Sequence, residues 1–233
     1  MKYFDRVVSE LRNRRLLIHL LFINSKDRVS LAVPYVSQFA HPEYAEKILR
    51  DDVERSEDPW WKKTGAKSPK EYATWVLVVC GMACTAMALD YFKRKREGII
   101  SLAKDAMDHG VYQKLPNGIS DMRYREFACW IKEYELRAEI YTRISLRNIQ
   151  KLLTEGKLVV ISVNPNIRGY ATACTNQKGG HLILITGYNK ADGTITFHNP
   201  SGFLSQSTQE NHMILIKEFY KYYAGRGIAL GEM

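Results

Sequence analysis

One stretch constrains the fold of this chain more than any other: Val76 to Phe92, VLVVCGMACTAMALDYF. A run of aliphatic residues delivers a cysteine onto a glycine, and a helical pattern begins at once. Met82, Ala83, Ala86, Met87, Leu89 and Phe92 recur at three- and four-residue spacing, so the helix expected over Cys80 to Arg96 presents a broad apolar face. It closes on Lys93-Arg94-Lys95-Arg96, which complements the negative end of the helix dipole. A helix this apolar needs a core around it. The 233 residues, 45% of them hydrophobic, are enough to build one.

The remaining chain divides by hydrophobic period. Residues 1–30 read as an N-terminal extension, with a helix over 2–13 and an apolar stretch, Leu16 to Ile23, that length leaves open between strand and helix. Residues 31–135 form a mostly helical half. Alternation at Val33 to Gln38 suggests an extended segment, Pro42 opens a short helix to Arg50, and helices are expected at 100–108 and 121–134. The charged stretch 51–70 reads as a loop pinned by Trp60 and Trp61. Residues 136–233 form a mostly sheet half. Strands are expected at 137–141, 158–163, 181–188, 194–199 and 227–230, helices at 145–155 and 214–223, and a hairpin turn at Asp192-Gly193. The layout is α+β in a single domain over 1–233, with a groove between the halves as the natural site.

Bulk properties exclude several classes. Four cysteines (Cys80, Cys84, Cys129, Cys174) are too few for a disulfide scaffold. The stretch Leu16 to Ile23 is short, contains His19, and is followed by no small-residue cleavage site, which argues against a signal peptide. No run approaches the roughly 20 apolar residues of a membrane helix. A cytoplasmic location with reduced thiols is the expectation. The net charge of +9 favours acidic partners. Nucleic acid is one such partner, supported by the basic run at 93–96 and 14 tyrosines, but no helix-turn-helix, RNP-like or zinc-finger pattern accompanies them. Cys80 and Cys84 could form one half of a metal site, but no second pair with ligand spacing accompanies them, and no metal or cofactor is expected.

Cys80 stands where a helix begins, so its sulfur meets unpaired backbone N–H groups that favour the thiolate. Gly81 leaves the backbone beside it unshielded. Read alone, Cys80 is also consistent with a small core residue, and Cys84 reads as core. A base changes the balance. Gly179-Gly180-His181 opens the apolar strand LILIT, and the glycines leave His181 approachable. The hairpin returns through His198 to Asn199-Pro200, bringing Asn199 toward the end that carries His181. Its side-chain oxygen could hold the imidazole tautomer, or it could serve only as a turn residue before proline. His198 should point to the opposite face.

The order Cys, His, Asn resembles that of papain-fold cysteine enzymes. VPYVSQ at 33–38, EYATW at 71–75, CGMACTAMALDYF at 80–92, GGHLILITGYN at 179–189 and FYKYYAGRGIAL at 219–230 resemble the C39-like peptidase branch. The resemblance implies a papain-like fold in which a helical half carrying the Cys helix packs against an antiparallel sheet carrying His and Asn. It implies Cys80 as nucleophile, His181 as general acid/base, Asn199 as orienter and Gln38 as an oxyanion-hole donor. Relatives often carry that glutamine six residues before the cysteine, where this chain has Thr74, and an aspartate in place of Asn199. The activity implied is acyl transfer through a thioester on Cys80. Amide formation from a carrier-protein-bound acyl thioester is the favoured outcome, as in stand-alone relatives of thiotemplated biosynthesis. An acidic carrier protein would present a phosphopantetheine thioester, with an amine as acceptor. The alternative is a peptidase or amidase that hydrolyses a peptide. The segment Asn164 to Lys178, with Gly169, Gly179 and Gly180 as pivots, could be a lid or a plain surface loop.

Overall fold

Leu158 to Val163 and the first six residues from His181 are buried at every position rather than at alternate ones. Strands of that kind belong in a sheet covered on both faces. The computed structural model describes residues 2–169 and 178–233, with side chains from residue 7 onward. Its helices are α1 (Lys2–His19), α2 (Tyr44–Leu49), α3 (Pro69–Trp75), α4 (Cys80–Lys93), α5 (Ile99–Asp108), α6 (Tyr124–Trp130), α7 (Leu146–Thr154) and α8 (Ile216–Phe219). Its strands are β1 (Arg28–Ser30), β2 (Lys114–Leu115), β3 (Gly118–Ile119), β4 (Leu136–Tyr141), β5 (Leu158–Val163), β6 (His181–Asn189), β7 (Thr194–His198), β8 (His212–Leu215) and β9 (Tyr223–Glu232).

The main sheet is antiparallel in the order β4-β9-β5-β6-β7-β8, with β1 added to β6, while β2 and β3 form a separate ribbon. Alternate residues of β5 and β6 enter two cores. Leu158, Val160, Leu182 and Leu184 face α4 and the helical half, whereas Val159, Ile161, Ile183 and Ile185 pack with residues of α7 and with Phe219 of α8. This is the expected α+β, papain-like arrangement, in which the Cys80 helix lies on the sheet that carries His181.

Local differences from the sequence reading have physical causes. α1 runs on to His19 and a 3-10 turn over Leu20–Phe22, which resolves the undecided stretch as helical, with Leu20 fully buried in the second core. Residues of the N-terminal stretch therefore pack into the body, and β1 joins the sheet edge. The loop 51–70 is pinned less by Trp60, which is 45% exposed, than by Asp58, which is fully buried and accepts a 2.6 Å bond from the Tyr72 hydroxyl. Within that loop Ser68 caps α3 by accepting from the Glu71 N–H, a start signal that the charged composition hid. α4 stops at Lys93 because Arg94 adopts a left-handed conformation at φ +54°. The helix expected at 214–223 is instead β8, the single turn α8 and the start of β9. Met213 and Leu215 alternate with Ile214 on an edge strand, and alternation over so short a run is easily read as helix. No single helix among the described residues is long and apolar enough to cross a membrane.

Gly187 shows what the β6 sequence must supply to its edge partner. A Cβ there would lie 2.6 Å from the Val29 carbonyl oxygen and 3.3 Å from Ser30 Cα, so the pairing of β1 with β6 requires glycine. Gly187→Ala should lower stability by about 2 kcal/mol in urea unfolding. Gly231→Ala, whose Cβ would meet only Lys157 Cγ at 3.5 Å, should change it by no more than about 0.5 kcal/mol.

Candidate functional site

α4 begins at Cys80 with Val79 at its N-cap, and no side chain caps the turn. The first-turn N–H groups are therefore not neutralised by a local acceptor, and the positive end of the helix dipole acts on the residues at its mouth. Cys80 is partly exposed there. Gly81 serves packing rather than access: a Cβ would meet Met122 Sδ at 2.6 Å and Leu182 Cδ1 at 3.2 Å, so glycine lets both side chains close onto the helix start. Cys84, one turn on, is buried and donates weakly to the Leu182 carbonyl at 3.8 Å, as expected of a core thiol.

His181 opens β6, opposite Val163 of β5, and is 2% exposed. Its Nε2 lies 2.8 Å from Asn199 Oδ1 and 3.1 Å from Ser201 Oγ. The backbone N–H of Ser201 donates to the same Oδ1 at 3.3 Å, which fixes the orientation of the Asn199 amide. With an acceptor facing it, Nε2 carries the proton of the neutral imidazole, and Nδ1 is left as the basic nitrogen. Asn199 is fully buried and anchored by its backbone: its N–H donates to Gln209 O at 2.8 Å, and its carbonyl accepts from Gly202 N–H at 3.1 Å and the Tyr35 hydroxyl at 3.1 Å. His198 is committed elsewhere, with Nε2 2.8 Å from Val33 O and Nδ1 accepting from the Asn211 N–H at 3.0 Å. It is a structural histidine.

Gln38 is buried between two pieces of the site. Its N–H donates to Pro200 O at 2.8 Å, and its Nε2 donates to Val76 O at 2.6 Å, four residues before Cys80. One amide hydrogen is thus engaged and the second remains. The other candidate position, Thr74, lies on α3 with its hydroxyl donating to Lys70 O at 2.8 Å.

Cys80 and His181 line one cleft of about 340 Å³. Val78, Met122 and Leu182 give it an apolar floor, and Asp121, Tyr124, Ser162 and Arg226 give it a polar wall. Four of the side chains that shape the site escaped the sequence reading. Ser201 had a local signal, two residues beyond Asn199 in the NPSG turn. Arg168, Ser162 and Arg226 had none, because distant strands and turns bring them in. Arg168 donates from Nε to Ser201 Oγ at 2.7 Å. The segment 170–177, which contains Cys174 and most of the suggested lid, lies outside the described residues.

Burial dominates the electrostatics. It raises the Cys80 thiol, opposed by the backbone of Leu182 and Gly81 and by the positive charge of Arg168, with Asp121 adding to the rise. Burial and Arg168 lower His181 to about 3, against the bond to Asn199. Both shifts run toward the uncharged forms, neutral thiol and neutral imidazole. Elsewhere, Asp105, His109 and Glu133 bring ligand-type atoms within 4.8 Å of one another on the surface. They already satisfy one another and their neighbours: Asp105 Oδ2 accepts from Trp130 Nε1 and the Tyr134 hydroxyl, and His109 Nε2 meets Glu133 at 3.1 Å.

The raised thiol sets a pH dependence. A group whose charged form is the thiolate gains reactivity as pH rises through its own value, which here lies above the ordinary 9.0. Iodoacetamide alkylation of Cys80, followed by mass spectrometry, should climb continuously through neutral and alkaline solution. A flat, fast rate in mildly acidic solution would instead mean a resting thiolate–imidazolium pair.

Comparison with known proteins agrees with the geometry. The chain aligns on the fold of a C39-like peptidase from Bacillus anthracis with a TM-score of 0.52, at 17% identity, covering 89% of this chain and 99% of that one. Weaker alignments reach the double glycine motif protease of an AMS/PCAT transporter, solved with its leader peptide (TM-score 0.45, 16% identity, 67% of this chain and 86% of that one), and xylellain, a cysteine protease from Xylella fastidiosa (TM-score 0.36, 13% identity, 90% and 87%). A search of curated proteins finds no match. The model of the Peptidase_C39 like family matches residues 30–228, most of the chain and every residue of the cleft just described, and the protein belongs to that family.

Proposed function

We propose that the protein is a cysteine-dependent acyl-transfer enzyme that works through a thioester on Cys80. The observation that carries this reading is the shared cleft, which holds the Cys80 thiol together with a His181 whose Nε2 is tied to Asn199 and whose Nδ1 is left basic. His181 Nδ1 takes the thiol proton as Cys80 sulfur attacks the substrate carbonyl. The carbonyl oxygen becomes an oxyanion, received by the Cys80 backbone N–H and the remaining amide hydrogen of Gln38. Collapse of the intermediate breaks the bond to the leaving group, which departs with the proton from His181. The acyl-thioester is then attacked by an acceptor, whose proton passes to His181, and Cys80 is restored as a thiol.

For the acceptor and donor we favour amide formation from an activated thioester. Displacing a thiolate asks little of an acid, whereas displacing a peptide amine asks much more. An acidic carrier protein with a phosphopantetheine arm would suit the +9 charge. Family membership favours a second reading, hydrolysis of a peptide or amide bond.

Intact-protein mass spectrometry after mixing with acyl-thioesters separates the two readings. An adduct of acyl mass should form on the wild type, vanish in Cys80→Ala and persist in Cys84→Ala. Faster clearance on adding an amine supports amide formation, equal clearance in water alone supports hydrolysis, and cleavage of peptides without any thioester adduct overturns the thioester reading. In matched kinetics His181→Ala should reduce turnover by about a thousandfold and Asn199→Ala by about a hundredfold, since loss of the proton carrier costs more than loss of its orienter. The reverse order would mean that these roles are misassigned.

A further inference from the structure

We propose that Arg226 makes the polar wall of the Cys80 cleft a carboxylate-reading subsite, so that the acyl donor is an anionic acyl group rather than a purely aliphatic one. This deepens, and rests on, the reading of Cys80 as the acyl-accepting thiol.

Arg226, on β9, lines the same cleft as Cys80 and His181. Its guanidinium is not simply waving in solvent. Gly179, at φ +98°, leads the chain into His181, and a Cβ there would lie 2.2 Å from Arg226 Nη2, 3.2 Å from its Cζ and 2.9 Å from Ser162 Oγ. The glycine therefore exists to let the guanidinium lie against the backbone that enters β6. Any side chain at that position would be strained by the backbone angle and would also displace the arginine. The Tyr124 hydroxyl engages both Arg226 and Ser162 from the facing side. Arg226 is thus held on the wall, yet it remains exposed toward the opening.

Several other arginines are paired with carboxylates, among them Arg50 with Glu46 at 2.8 Å, Arg123 with Glu126 and Arg137 with Glu139 at 3.5 Å. Among the described residues no carboxylate lies within 4.0 Å of Arg226. A positioned guanidinium without a counter-ion, beside an apolar floor, favours an anion from the ligand, since its fork matches a carboxylate with two parallel bonds. Asp121 lines the same cleft and offsets part of this charge, so the preference rests on the fork of Arg226 rather than on the net charge of the wall.

The experiment compares two N-acetylcysteamine thioesters of similar length, succinyl and butyryl, by the initial rate of adduct formation on the wild type, with Cys80→Ala as the blank. In each case Cys80 sulfur forms the new thioester bond, the donor carbon–sulfur bond breaks, and N-acetylcysteamine leaves as the thiol. Succinyl transfer should exceed butyryl transfer by about tenfold, a preference that Arg226→Gln abolishes and Arg226→Lys partly restores. Equal rates, or a preference that survives in Arg226→Gln, would overturn the subsite while leaving Cys80 as nucleophile. If neither donor labels Cys80, the thioester-donor reading fails, and the subsite is judged by binding to the unreacted protein. Ligand-observed NMR with succinamate and butyramide on Cys80→Ala should then show succinamate bound only when Arg226 is present. Equal binding of the two, or none, overturns the subsite.

Discussion

The site depends on one contact, that of Leu182 of β6 with the first turn of α4. Its backbone reaches the Cys80 sulfur, its carbonyl accepts from Cys84, its side chain fills the space that Gly81 leaves, and its strand partner is Ser162. A helix and a strand cannot approach this closely unless one offers a bare backbone. The glycine after the cysteine supplies it. Because His181 immediately precedes Leu182 on a strand buried on both faces, the same contact fixes where the imidazole enters the cleft. The thiol and its base are positioned by core packing rather than by a flexible loop, and such rigidity is what a preorganised site requires.

Much of this was legible in the residues. The boundaries of β5 and the start of β6 follow from unbroken apolar runs, the Cys80 helix from its spacing, and the His–Asn pairing from a hairpin that folds back on itself. What was not legible came from competition between signals. The cap and first residues of α3 lay at the end of a charged stretch whose composition reads as loop, and the buried Asp58 of that stretch is held by the Tyr72 hydroxyl of the helix and by the Trp60 N–H. The end of the chain was misread because β8 and α8 are each about one turn or less in length, too short for a period to declare itself. The glycines at 81 and 179 were correctly singled out but for the wrong reason. Both admit a neighbouring side chain, Met122 and Leu182 at one and Arg226 at the other, and no local rule predicts which distant residue will use the room.

Asn199 and the residues behind it set the direction in which His181 is pushed, toward the neutral form. A carboxylate at that position would place a negative charge on Nε2 and favour the imidazolium. The amide offers only an oxygen dipole, and Ser201, standing between His181 and Arg168, brings a positive charge close behind it. Burial and that charge act in the same direction, and the single hydrogen bond from Asn199 opposes them without prevailing.

A neutral imidazole beside a neutral thiol takes that thiol's proton only as the sulfur attacks, so proton transfer and bond formation are coupled. Two arginines stand near Cys80, one acting on the thiol and imidazole and one lining the cleft, and both favour negative charge there against the opposing carboxylate of Asp121. The positive field that lowers His181, and so weakens it as a base, is the same field that favours negative charge in the cleft.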